Sequence, residues 1–557
     1  MMTLKNNFVK ILAVVVGLFL LNMLGNKLYK RFDLTKDKRY TLSQSTKTII
    51  ANIDAPIIID ILLEGNFPSE FKRLQSETKQ LLEEFSAVNN NIKFNFVNPL
   101  EDETTTSETI AKLQSLGLMP TQVTAQENGK VSQEFVFPWA IANSKDKSVK
   151  IPLLKNKIGS SSEERSNNSI QNLEYAFADG LHKLTNTQKK KVAILKGNGE
   201  LPDVYMADFL TTIRDYYNIA PFTLDSVATN AEKTLQQLHD FDLAIVAKPT
   251  KPFTEEQKFV LDQYIMNGGK MVWMLDQVAM EVDSLFNETG TSIALPIDLN
   301  LTDMLFKYGV RVNPSLVNDL YFTEIVLASG EGNNSQYNPI PWFYNPMVLS
   351  KNNHPINNNI EAVRLQFTNP IDTLSNGIKK TVLLQSSPLS KTEGTPATIS
   401  LDIATKEPEK ETYTHGNVPL GVLLEGSFTS AYKNRVHSLK ALPSKEQSKN
   451  TAMVIIADGD IVKNQLRNGR PLELGYDKWT NKFYGNKEFL LNTLNYLLDD
   501  SGIINVRTKK VNIAFLDAQK LIDEKTKWQL VNVALPLIFF VVFGIAYNYM
   551  RKRKYAA

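Results

Sequence analysis

FDLAIVAKPTKPFTEEQKFVLDQYIMNGGKMVWMLD, residues 241–276, is the stretch that decides the fold class. Phe241 to Ala247 is apolar but for Asp242, as a strand covered on both faces must be. Thr254 followed by Gln257 is a capping box, in which each side chain satisfies a backbone N–H of the first helical turn. The helix it opens runs to Met266, where Gly268-Gly269 stops it. Lys270 to Leu275 is the next strand, ending at Asp276. Strand, helix, strand at this spacing predicts a parallel, doubly wound α/β sheet.

Working outward, Lys191 to Leu195 opens the same unit and is followed by the turn Gly197-Asn198-Gly199-Glu200 and a helix from Val204 to Tyr217. From Asp283 to Asn450 the pattern loosens, with Asn-rich loops (Asn333-Asn334-Ser335 and Asn352 to Asn359) and scattered strands such as Thr381 to Gln385. Met453 to Ala457 resumes the α/β style, and Asn486 to Leu498 is an amphipathic helix; both are expected to complete the second sheet. Upstream, a helix over Tyr40 to Ile53, capped near Ser43, precedes strands at Ile57 to Leu63 and Ile92 to Val97. The helix between these two strands places Phe71, Leu74, Leu81, Leu82, Phe85 and Val88 on one face. Extended segments near Phe135 and Val149 and a long helix from Ser162 to Leu184 complete a first α/β unit. The expected organisation is an anchor and basic linker (1–39), a first α/β domain (40–186), and a second (187–500) with a loop-rich insertion at 283–450. A linker (501–527) holding a helix across Asp517 to Lys527 leads to a terminal span and basic tail (528–557).

Trp528 to Met550 holds no charged residue and is followed by Arg551 to Lys554, the pattern of a membrane-spanning helix with a cytoplasmic stop. Phe8 to Leu24 is weaker, since it contains Lys10 and Asn22 and is cleanly apolar only from Ile11 to Leu21. It reads as an uncleaved anchor. A signal peptide is the alternative, although Asn22-Met23-Leu24-Gly25 is a poor cleavage site. Transmembrane helices at both ends would put both termini in the cytoplasm and the body on the periplasmic side of a bacterial inner membrane.

The chain carries a net charge of +3 with its basic residues dispersed, so no nucleic-acid face is expected. It has no cysteine, which excludes disulfides, thiolate metal sites and cysteine nucleophiles. No cofactor and no catalytic residue is expected, because the chain lacks an ATP-binding signature and a Ser-His-Asp arrangement.

The 241–276 stretch, with YTLS at Tyr40 to Ser43, the Gly197 to Glu200 turn, VPLGVLLEGSFTSAY at Val418 to Tyr432 and MVIIADGDIV at Met453 to Val462, resembles the ABC-transporter auxiliary family. The resemblance extends to members associated with gliding motility in Bacteroidetes. It implies a second α/β domain similar to the class I glutamine-amidotransferase fold. It also implies a substrate-binding component working beside a separate ABC ATPase and a polytopic permease. Glutamine hydrolysis needs an activated cysteine, which is absent.

Candidate ligand-binding residues are those just beyond strand ends. Gly197, Asn198, Gly199 and Glu200 lie where backbone amides meet an anion at a switch point, and Asp276 follows the Lys270 to Leu275 strand. Asp458 and Asp460 are weak metal candidates. The plain reading of all of them is tight turns and caps. Three functions follow: a non-enzymatic accessory subunit coupling a partner ATPase and permease to the α/β body, a solute- or glycan-binding receptor using a crevice between the two units, and a metal-dependent hydrolase on the three aspartates.

Overall fold

The computed structural model describes residues 14–19, 33, 41–508 and 523–555, apart from 66, 102–105, 128–129, 146, 156–159, 161, 187, 330–335, 351, 436–438, 440–443 and 500–501. It divides into two compact units, residues 1–510 and 511–557.

The first α/β region begins with helix α1 (Gln44–Ala51), whose Ser43 side chain accepts the Thr46 N–H at 3.2 Å. Strand β1 (Ile57–Ile61) pairs in parallel with β2 (Ile92–Phe96) across helix α2 (Ser69–Val88). On its other side β1 is antiparallel to β3 (Trp139–Ser144), which pairs with β4 (Lys147–Pro152). Of the six residues expected on one face of α2, Phe71, Leu74, Leu82 and Phe85 are buried, as the period of 3.6 requires, whereas Leu81 is half-buried and Val88, at the helix end, is exposed. Helix α3 (Ser162–Thr185) lies against this layer, with Phe177 edge-on to Phe85 at 6.3 Å. Gly180 permits the approach, since a Cβ there would stand 2.6 Å from the Ile151 side chain.

Seven strands make the central sheet: β5 (Lys191–Lys196), β6 (Asn218–Thr223), β7 (Leu243–Ala247), β8 (Lys270–Met274), β9 (Lys379–Gln385), β10 (Pro419–Thr429) and β11 (Gln447–Ile456). Their spatial order is β9-β10-β11-β8-β7-β5-β6. The five parallel strands, counted along the chain, therefore stand in the order 2-1-3-4-5, that of a doubly wound sheet with its switch point between β5 and β7. The two remaining strands add antiparallel at one edge. Thr381 to Gln385, read from sequence as part of a loop-rich insertion, is thus the border of the main sheet.

Strands without polar alternation are buried on both faces. Val192 and Ile194 pack with Phe209 and Ile213 of helix α4 (Ala207–Arg214) and, from a later helix, with Phe489 and Leu494. Ala193 and Leu195 pack on the opposite face with Leu235 and Leu238 of α5 (Val227–His239) and Phe259 of α6 (Glu255–Met266). The capping box is formed, with Gln257 N–H to Thr254 Oγ1 at 3.2 Å and Thr254 N–H to Gln257 Oε1 at 3.0 Å. Phe489 and Leu494 belong to α7 (Asn486–Leu498), which closes the layer.

One part of the expected fold is corrected. Among the described residues a single helix, α8 (Lys525–Tyr555), is long and apolar enough to cross a membrane; a matching N-terminal span is not found. The two-span topology, with both termini cytoplasmic and the body periplasmic, falls with it. The physical reason is length: the clean run Ile11 to Leu21 makes only about 16 Å of helix, roughly half a bilayer core. Of Phe8 to Leu24 the described residues are 14–19, which are helical; the rest, with most of the basic linker and the first part of the helix expected at Asp517 to Lys527, lies outside them. In α8 the apolar side chains are exposed along its whole length, from Trp528 at 54% to Met550 at 62%, which a packed core helix would not show.

Candidate strand-end site

The carboxyl ends of β7, β8 and β11 bring together a compact charged cluster. Lys248 follows β7 in the left-handed region at φ 52°. Its ammonium donates to Asp460 Oδ2 at 2.6 Å, lies 3.4 Å from Asp276 Oδ2, and also contacts Glu281. Lys463 extends the network to Glu281 Oε2 at 2.9 Å and Asp460 Oδ1 at 3.3 Å. Gly459 makes the packing possible, because a Cβ there would lie 2.6 Å from the Lys248 side chain.

Backbone donors complete the cluster. Asp276 Oδ1 accepts the Gly459 N–H at 2.6 Å, and Asp458 accepts N–H groups from Asp460 at 2.7 Å and Gln366 at 2.5 Å. The segment around Gln366 thus caps the end of β11, and Thr368 and Asn369 both bond Ala457 O.

Burial sets the proton affinities. It pushes Asp276 up to about 6 against the pull of Lys248. Burial raises Asp458 well above the carboxylate range, helped by the charges of Asp276 and Asp460. For Lys248, burial works against the charge, but Asp460, Asp276 and Glu281 outweigh it and hold the ammonium above its ordinary value.

Of the aspartates named from sequence, Asp276 and Asp460 therefore do converge, but around a lysine, while Asp458 is held by backbone N–H groups. Lys248 Nζ stands between Asp276 and Asp460, the position a cation would need. Among the described residues no group of three His, Cys, Asp or Glu is arranged to hold a metal. Lys248, Glu281 and Lys463 escaped the sequence reading; the available signal was a lysine set directly behind the apolar run LAIVA.

The glycine turn is at the switch point but is occupied by its own chain. Asn198 O accepts N–H groups from Thr250 at 3.0 Å and Lys251 at 2.9 Å, and its amide nitrogen donates to Gln257 at 3.0 Å. The Asn198 N–H goes to Glu200 Oε2 at 2.8 Å. Gly197 and Gly199 take φ of 117° and 75°, and a Cβ on Gly199 would come within 2.2 Å of Thr250 Oγ1. Burial raises the Glu200 carboxyl, whose Oε1 is buried without a hydrogen-bond partner.

Fold and site define a doubly wound α/β body whose strand ends are closed by internal ion pairs, on a chain that ends in an exposed apolar helix. The chain belongs to the family described as an ABC-type uncharacterized transport system, which matches residues 189–493. A domain of unknown function matches residues 36–143. An uncharacterised protein of Borreliella burgdorferi is 20% identical over 531 residues, spanning 94% of this chain and 94% of its own length. A solved structure, the mmIFT52 N-terminal domain, is 13% identical and covers 56% of this chain and 98% of its own, at a TM-score of 0.30 that bears no weight for the fold.

Proposed function

We propose that this protein is a non-enzymatic accessory subunit of an ABC transporter, anchored in the bilayer by α8 and acting beside a separate ATPase and a polytopic permease. The observation that carries the reading is the closed strand-end edge. The carboxylates available for catalysis there are held by Lys248, Lys463 and backbone amides, and the switch-point turn is sealed by Thr250 and Lys251. Such an edge serves structure, so function falls to surfaces and to the helix in the membrane. Motion of a partner permease, packed on the exposed apolar side chains of α8, would be passed to the α/β body. The sequence resemblance to gliding-motility members supports surface motility as the process served.

The test is affinity recovery of the native chain in mild detergent with mass spectrometry of its companions. The expected result is stoichiometric recovery of an ABC ATPase and a polytopic permease, lost when the apolar face of α8 is replaced by an unrelated membrane span. Recovery of the intact chain by itself overturns the subunit reading. A chromosomal deletion that leaves colony spreading unchanged overturns the motility assignment.

A further inference from the structure

The Asn-rich loop at Asn352 to Asn359 reads from sequence as mere connection, yet it lines a cleft of about 300 Å³ together with Lys155, Asn168 and Ser350. The loop is built, not loose. Asn352 donates to Val382 O at 2.6 Å and Asn357 donates to Leu383 O at 2.7 Å, so two side-chain amides pin it to strand β9. Asn359 contacts Asn172 of α3 at 3.4 Å, and Arg507 donates to Asn359 O at 3.0 Å.

Within this well-bonded frame two buried atoms lack a hydrogen-bond partner, Asn357 Oδ1 and Ser350 Oγ. Asn357 is only 4% exposed, and both of its amide hydrogens are used, to Leu383 O and to Asn352 Oδ1 at 2.9 Å. Its carbonyl oxygen is therefore a fixed acceptor, and Ser350 Oγ both donates and accepts. Leaving a buried acceptor unmet costs about 1–3 kcal/mol, a cost that a donor in the cleft would remove.

The charge balance narrows the occupant. Among the described residues the ionisable groups lining the cleft are Lys155 and Glu361, and Lys155 is already paired to Glu488 Oε2 at 3.3 Å. Burial also lowers the Lys155 ammonium to about 8, against the pull of Glu488. Among these described groups an anion finds no uncompensated positive charge, and a metal finds one carboxylate. Amides and hydroxyls pair instead with hydroxyls. A second hollow of about 180 Å³ shares Leu349, Ser350 and Asn352 and continues the groove to Gln385 and Ser386.

We propose that this groove binds a short neutral, polyhydroxylated ligand, one sugar unit in the Asn-rich cleft and a second toward Gln385, with Asn357 Oδ1 and Ser350 Oγ as its principal contacts. The inference goes beyond the accessory role and holds whether or not an ATPase and permease accompany the chain.

The experiment uses the full chain in nanodiscs, prepared without sugar-headed detergents. Saturation-transfer difference NMR and calorimetry are run with glucose, N-acetylglucosamine and maltose, and with glutamate and inorganic phosphate as charged controls. Saturable binding of at least one sugar, weakened about tenfold by Ser350→Ala and by Asn357→Ala, supports the proposal. Ser350→Ala removes no bond of the frame, so it reports on binding even where Asn357→Ala perturbs the loop. No saturable sugar binding up to about 10 mM, preference for a charged control, or binding indifferent to Ser350→Ala overturns it.

Discussion

The carboxyl edge of the central sheet and the Asn-rich cleft beside β9 are opposites. The first is dense in charge and held by its own ion pairs; the second is nearly neutral among the described residues, and its buried atoms without a partner belong to uncharged side chains. At the strand ends Lys248 meets Asp460, Asp276 and Glu281, and the remaining carboxylate oxygens take backbone N–H groups or Lys463. In the cleft Asn357 Oδ1 and Ser350 Oγ have no partner. At the strand ends opposed charges lock the fold even though Asp460 Oδ1 and Glu200 Oε1 lack a hydrogen bond, whereas in the cleft the unmet atoms belong to neutral side chains that line a hollow.

The contrast breaks most readily at Lys248. Lys248→Met leaves buried carboxylates without a cation and is expected to destabilise the chain by about 3–5 kcal/mol, read as a drop in denaturant midpoint. An unchanged midpoint would mean the cluster locks nothing. Gly459→Ala drives a methyl into the Lys248 side chain and is expected to cost about 1–3 kcal/mol in the same titration. Gly199→Ala, at φ 75° against Thr250, is expected to cost about 1–2 kcal/mol.

Asp276 sharpens the comparison through pH. Its folded-state carboxyl binds a proton more tightly than the unfolded one, so its contribution to stability is complete below about pH 4. That contribution is lost as pH rises through about 6. Asp276→Asn keeps an acceptor for the Gly459 N–H and should remove this decline, flattening stability across that window in thermal melts at stepped pH. The smallest effect belongs to the cleft, where Ser350→Ala should shift stability by less than about 0.5 kcal/mol. A large loss there would turn the cleft into a second structural lock.

Local chemistry made much of the fold legible. The LAIVA strand, the Thr254 and Gln257 capping box, the glycine stop after Met266 and the Ser43 cap all form where their residues stand. Each depends on contacts within a few positions, or on periodicity that any burial would enforce. Among the described residues the expected N-terminal span is not found, for a local reason too, since its clean apolar run is short.

What the sequence by itself determined is the parallel α/β style, the absence of thiol chemistry and the apolar C-terminal helix. Only the tertiary structure decided that Asp276 and Asp460 would meet a lysine in place of a metal, that Asp458 would be held by backbone N–H groups, and that the Asn352 to Asn359 loop would become the wall of a cleft. Lys248 and Asp460 lie 212 positions apart, and Asn357 reaches Leu383 across 26. No periodicity or capping rule acts over such separations. The strand order does, because it alone fixes which strand ends become neighbours.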